Sequence, residues 1–74
     1  MKKALVILFD KVEELEALAP VDILRRARID VTTAALGDSL EIIGRSGIAI
    51  DADELFDDIA NDSFDAVILP GGPG

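Results

Sequence analysis

Three apolar runs set the framework of the chain: Ala4 to Phe9, Ile29 to Leu36 and Ala66 to Leu69. Runs that lack a regular polar alternation are what a strand covered on both faces requires, so they predict three parallel core strands. Between the first two, residues 12–28 read as a helix. Asp10 and Glu13 have the spacing of a capping box, Glu13 and Glu14 suit the positive helix start, and Arg25, Arg26 and Arg28 suit its negative end. Strand, helix and strand together make a βαβ unit.

After Gly37-Asp38, the short runs Leu40–Ile43 and Ile48–Ile50 flank Gly44-Arg45-Ser46-Gly47, which predicts a hairpin appended to the main sheet. A second helix is expected next. Asp51 and Glu54 repeat the capping-box spacing, and Ala52, Leu55, Phe56, Ile59 and Ala60 fall on one face. With right-handed crossovers and a core strand order of 2-1-3, the two helices cover opposite faces and the order reverses between the first and third core strands. The fold class is therefore α/β, a flavodoxin-like three-layer sandwich with parallel core strands, plus the small β-hairpin. The sheet is expected to be incomplete, with an exposed edge prone to pairing. Ligands in such sheets bind where the strand order reverses, so a site should be built from Phe9-Asp10 and from Leu69-Pro70-Gly71-Gly72.

Composition narrows the functional classes. A chain of 74 residues makes one small domain with a marginal core. Acidic residues outnumber basic ones 15 to 7, for a net charge of −8, and that field repels a phosphate backbone, so nucleic acid is not an expected partner. The acidic 51–65 stretch reads as a solvated face. There is no cysteine, hence neither disulfide nor thiol, and no histidine, the commonest metal ligand and general base. No metal or cofactor is expected. The first apolar run stops at Asp10 after six residues, too short for a secretory core or a membrane span, so it is read as a strand and the protein as cytoplasmic, without a membrane partner.

Two features can carry chemistry. Positions 12, 16, 19, 23 and 27 share one helical face, and Val12, Ala19, Ile23 and Ala27 make it apolar around Glu16. A carboxyl partly buried there would have its pKa raised and could hold or donate a proton; the alternative is a glutamate at the edge of the stripe that reaches water. Pro20, four residues on, cannot donate to the Glu16 carbonyl and should kink the helix. The second feature is Pro70-Gly71-Gly72-Pro73-Gly74, in which the Gly71 and Gly72 N–H groups can face an oxyanion and Pro73 cannot, or which is simply a turn. Other chemistries fail on their own terms. The first strand leads into neither a glycine-rich dinucleotide turn nor a Walker loop. Pro70 stands where a phosphoacceptor aspartate would be needed, and Asp51, Asp53, Asp57 and Asp58 lack the spacing of a calcium loop.

Ala4-Leu5-Val6-Ile7-Leu8, Glu13-Glu14-Leu15-Glu16, Pro20 to Ala27 and Val67-Ile68-Leu69-Pro70-Gly71-Gly72, in this order and spacing, resemble the ThiJ/PfpI superfamily, particularly its DJ-one branch. The resemblance spans the chain but only the amino-terminal part, residues 1–74, of a single longer domain. It implies that Glu16 hydrogen-bonds a reactive cysteine and serves acid–base steps, that Gly72, beside Gly71, helps bind the developing oxyanion, and that Arg26 and Arg45 belong to an anion-binding patch across a homodimer interface. Read from the residues alone, the two arginines are equally helix-end and hairpin surface charges. The family includes glyoxalases, deglycases, stress chaperones and peptidases, which implies a small aldehyde or glycated substrate for a full-length parent. Two positions depart from the pattern: the cysteine nucleophile is absent, so the chain alone is expected to be inactive, and Arg28 stands where relatives usually have a glycine, which counts against a left-handed helix cap. The competing readings are a class I glutamine amidotransferase fragment and a non-enzymatic flavodoxin-like interaction module.

Overall fold

The computed structural model describes residues 2–72. Its elements are β1 (Lys3–Leu8), α1 (Glu14–Arg26), β2 (Asp30–Ala35), β3 (Glu41–Ile43), β4 (Ala49–Asp51), β5 (Glu54–Leu55), α2 (Phe56–Ile59) and β6 (Ala66–Ile68). The main sheet is parallel, in the order β5-β2-β1-β6. This is the expected 2-1-3 arrangement of core strands with one addition, the short β5 on the outer side of β2, where Ala34 faces Glu54 and Ala35 faces Leu55. The predicted hairpin forms as a separate antiparallel pair, Ile42 opposite Ile50.

The unbroken apolar run of β1 is explained by what covers it. Ala4, Val6 and Leu8 join the core beneath α1 with Ala17, Val21, Val31 and Ala35, while Leu5 and Ile7 turn to the other face, against Phe56, Ile59 and Phe64. Alternate side chains of a strand point to opposite faces, so a strand with both faces covered must be apolar throughout. No described helix is long and apolar enough to cross a membrane.

Helix α1 departs from expectation in its bounds, its cap and its face. It is shorter than residues 12–28, and its N-cap is Glu13, whose side chain accepts the Leu15 N–H. Asp10 does not cap it; the Asp10 carboxylate accepts the Ile43 N–H of the hairpin at 3.0 Å. The face turned to the sheet carries Glu14, Ala17, Val21 and Leu24, whereas Ala19, Ile23 and Ala27 are exposed, Ile23 at 62%. Val12 is buried, but it precedes the helix and so does not set the helical phase. The stripe predicted around Glu16 is therefore the outward side. At the other end, Arg28 takes the left-handed conformation (φ 65°), with the Arg28 N–H on the Arg25 carbonyl and the Ile29 N–H on the Leu24 carbonyl. That is a Schellman cap, formed by an arginine where a glycine would fit without strain.

The second helix is one turn long. Asp51 ends β4, Glu54 opens β5, and α2 begins after Leu55 with no side-chain cap, so the predicted Asp51–Glu54 capping box does not form. The intervening residues are committed elsewhere: the Ala52 N–H bonds the Leu40 carbonyl, and the Asp53 N–H and carboxylate both engage Thr33. These bonds hold residues 52–55 extended alongside β2.

Candidate functional site

The carboxyl ends of β1 and β6 lie side by side, as the register Ala4–Ala66 to Val6–Ile68 requires, and the segments leaving them meet at once. The Glu13 N–H donates to the Gly71 carbonyl at 2.8 Å, and the Gly71 N–H donates to Glu16 Oε1 at 3.2 Å. A Cβ on Gly71 would lie 2.7 Å from that same oxygen. A Cβ on Gly72 would sit 3.0 Å from the Phe9 ring and 3.4 Å from the Lys11 carbonyl. The loop thus packs closely on the start of α1: a side chain at position 72 would press on the Phe9 ring and the Lys11 carbonyl, and one at position 71 would make the Glu16 carboxylate move aside. Pro70 before them is buried. Pro73 and Gly74, the remainder of the predicted loop, lie outside the described residues.

Glu16 and the Gly71-Gly72 loop are therefore brought together, though not by burial of Glu16. Its side chain is exposed on the outward face of α1 and reaches the loop from the solvent side. The partly buried carboxyl expected from the helical stripe is not what holds Glu16 in place; the Gly71 N–H does.

Arg45 lies in the hairpin turn at the same end of the molecule. Its N–H donates to the Val12 carbonyl at 2.8 Å, and the Lys11 N–H donates to the Ile43 carbonyl at 2.7 Å, so the hairpin is stitched to the segment that enters α1. Asp10, Lys11, Ile43, Gly44, Arg45 and Gly47 line a cleft of about 390 Å³ there. Lys11 itself is in the left-handed region (φ 71°). Arg26 is elsewhere: it is ten residues beyond Glu16 on the same helix, about 15 Å along the axis at 1.5 Å per residue. Its Nε donates to Asp22 at 3.0 Å in an exposed i,i+4 pair. Within one chain, Arg45 and Glu16 share an end of the sheet and Arg26 does not.

One carboxylate here was not singled out from the sequence. Glu14 is only 5% exposed. Its Oε2 accepts the N–H groups of Ser46 at 2.8 Å and Ile48 at 3.4 Å, and its Oε1 is buried without a partner. Burial pushes the Glu14 carboxyl up, but the backbone N–H groups of Glu14, Ser46 and Ile48 and the Ser46 hydroxyl outweigh it and hold the pKa below 4.5. The available signal was helical phase: Glu14, Ala17, Val21 and Leu24 also recur at one-face spacing. A similar balance holds at Asp53, where burial is outweighed by the Thr33 N–H and hydroxyl and by Arg25 at 2.9 Å, leaving the pKa below 3.8.

Residues 2–74 match the DJ-1/PfpI family. The chain is 48% identical over 68 residues to Protein DJ-1 homolog A of Arabidopsis thaliana, covering 92% of this chain and 17% of that protein. It is 33% identical over 70 residues to a deglycase of Thermococcus kodakarensis, covering 95% of this chain and 42% of the relative. Its fold superposes with a TM-score of 0.96 on a DJ-1 superfamily protein from Salmonella typhimurium in which a cysteine is mutated to alanine, at 44% identity over 99% of this chain and 40% of that one. On DJ-1beta of Drosophila melanogaster the TM-score is 0.93, at 42% identity over 96% of this chain and 38% of the fly protein. The chain thus spans from 17% to 42% of the length of these relatives. Family match and fold agree, and the chain belongs to the DJ-1/PfpI family, as an amino-terminal portion of its flavodoxin-like fold.

Proposed function

We propose that this chain supplies the acid–base and oxyanion half of a cysteine-dependent site acting on small aldehydes or glycated groups. The observation that carries the reading is the Glu16–Gly71 hydrogen bond, which holds a solvent-facing carboxylate against a glycine loop at the strand-order reversal. In the reaction a thiolate forms a bond to the substrate carbonyl carbon, the carbonyl π pair moves onto oxygen, and the Gly72 N–H stabilises the oxyanion. Glu16 takes the thiol proton as the carbon–sulfur bond forms and returns it to the oxyanion, which gives a hemithioacetal with an aldehyde. The chain has no cysteine, so it does not perform the attack alone. The deglycase among its relatives supports the substrate class.

The site is further proposed to be completed in a homodimer. The outward face of α1 carries Leu15 at 79% exposure, Leu18 and Ile23, with Arg26 on the same side, an apolar strip edged by a cation. Docking that face on a second copy would bury the strip and bring Arg26 toward the partner.

The test is methylglyoxal consumption by the 74-residue chain beside a longer chain in which the same segment is followed by a cysteine-bearing strand-to-helix elbow. Turnover is expected from the longer chain only, with Glu16→Gln lowering it by about 10²-fold or more. Turnover by the cysteine-free chain overturns the reading.

A further inference from the structure

Side chains, not a strand, finish most of the outer edge of β2. In a parallel ladder the backbone groups of alternate residues turn to opposite neighbours. The Asp30 and Leu36 N–H groups bond the β1 side, so those of Val31, Thr33 and Ala35 face outward. β5 covers only the end of that edge, opposite Ala34 and Ala35. Ahead of it, the Thr33 N–H donates to Asp53 Oδ2 at 3.0 Å, and the Val31 carbonyl accepts from Arg25 Nη2 at 3.0 Å. The same Nη2 donates to the same Oδ2 at 2.9 Å, which closes the arrangement on itself. Carboxylate and guanidinium thus take the acceptor and donor places that a neighbouring strand would fill, and Val31 and Thr33 are each only 6% exposed.

The ladder pattern says what this pair excludes. Two antiparallel residues facing each other at a hydrogen-bonded position exchange both of their N–H···O bonds. When two copies of β2 meet about a twofold axis with Val31 of one opposite Thr33 of the other, each Thr33 N–H meets the Val31 carbonyl of the second copy. Those are the two groups that Asp53 and Arg25 hold, so the edge is complementary to itself and the ion pair stands where the second copy would bond. Asp53 also pins the approach to β5: its N–H is shared between the Thr33 carbonyl at 3.1 Å and the Thr33 hydroxyl at 2.9 Å, which keeps residues 52–55 in the path of an incoming strand. We propose that the Arg25–Asp53 pair closes a strand-pairing surface on β2 whose fitting partner is a second copy of this chain. A half-exposed ion pair adds little to stability, but its charged groups hold the edge more strongly than the neutral peptide groups of another strand would. The surface does not involve Leu15, Leu18 or Ile23, so it is separate from the homodimer face proposed above.

Sedimentation velocity and amide hydrogen exchange on the 74-residue chain, over a range of concentrations, test the proposal. In the parent chain the Thr33 amide is protected to the same degree at every concentration. In Asp53→Ala it exchanges fast in dilute solution and regains protection as concentration rises, self-association is about tenfold tighter than the parent's, and the β1 amides stay protected. Adding Val31→Pro removes an outward N–H that β1 does not use, and it returns association to the parent level. Asp53→Asn keeps an acceptor and falls between parent and Asp53→Ala. Association of Asp53→Ala equal to the parent's overturns the proposal, as does a raised association that Val31→Pro leaves untouched. Should Asp53→Ala lose β1 protection, Arg25→Ala decides, since it frees the Val31 carbonyl and leaves Asp53 on Thr33, and parent-like association in that variant refutes the proposal.

Discussion

Glu16 Oε1 accepts the Gly71 N–H at 3.2 Å, a bond spanning 55 residues that joins the outward face of α1 to the loop after β6. A side chain at position 71 would have to displace the Glu16 carboxylate, since a Cβ there would lie 2.7 Å from its oxygen. Gly71→Ala should displace Glu16 and destabilise the fold by about 1–3 kcal/mol, the usual range for overpacking. The cost falls toward the low end if the exposed Glu16 side chain swings aside. Urea denaturation measures the loss, and Glu16→Ala in the same background should restore most of it. Additive losses in the double variant would contradict the steric account.

Arg28 holds a left-handed conformation with a β-carbon (φ 65°). Arg28→Gly removes that strain while keeping both Schellman bonds, which run through the backbone. Part of the gain is offset by the greater freedom of glycine in the unfolded chain. The expected net stabilisation is about 0.5–1 kcal/mol, read as a higher urea midpoint at unchanged slope.

Asp53, just ahead of β5, links two elements, accepting from the Thr33 N–H of β2 at 3.0 Å and from Arg25 of α1 at 2.9 Å. Both ionic side chains are about half exposed, so solvent screens the pair and the Thr33 bonds should dominate. Asp53→Ala is expected to cost about 1–2 kcal/mol, and Arg25→Ala clearly less. Equal losses in the two variants would count against this ranking.

Acid should weaken the fold through the two carboxylates whose pKa values are held down. For each, the folded pKa lies below the ordinary value of 4.5 for Glu14 and 3.8 for Asp53. The folded state therefore binds protons less readily than the unfolded chain, and the stability these groups contribute is complete above those values and lost as pH falls through the folded pKa. Urea midpoints taken from pH 7 to pH 3 should be level down to about pH 5 and then decline. Glu14→Gln and Asp53→Asn should each flatten the decline. A decline of unchanged steepness in both variants would refute this assignment.

The sheet was legible because burial on both faces leaves an unmistakable mark, as in Ala4–Leu8, where no polar residue is tolerated. Strand order followed from the crossover rules, and with it the meeting of Glu16 and Gly71. The phase of α1 was not legible, because Val12 and Ile23 are apolar for different reasons: one is buried ahead of the helix, the other lies on its exposed face. Capping-box spacings at Asp10 and Asp51 misled because both residues lie in or beside hairpin pairing, where backbone partners compete with a helix start. Glu14 escaped notice because three of the four residues 13–16 are acidic, and only the folded hairpin distinguishes the one that turns inward.

β1, an interior strand of the sheet, precedes the other described elements along the chain. β1 pairs with β2 after one helix, but its other edge stays open until Ala66–Ile68 arrive, across 62 positions from Ala4 to Ala66. During synthesis the most apolar segment of the molecule thus waits with a bare hydrogen-bonding edge, and closing so long a loop is slow compared with forming the βαβ unit. The hazard is one of timing: a nascent chain stalled before residue 66 offers its core strand to any neighbouring strand, and rapid completion of the sheet is what withdraws that offer.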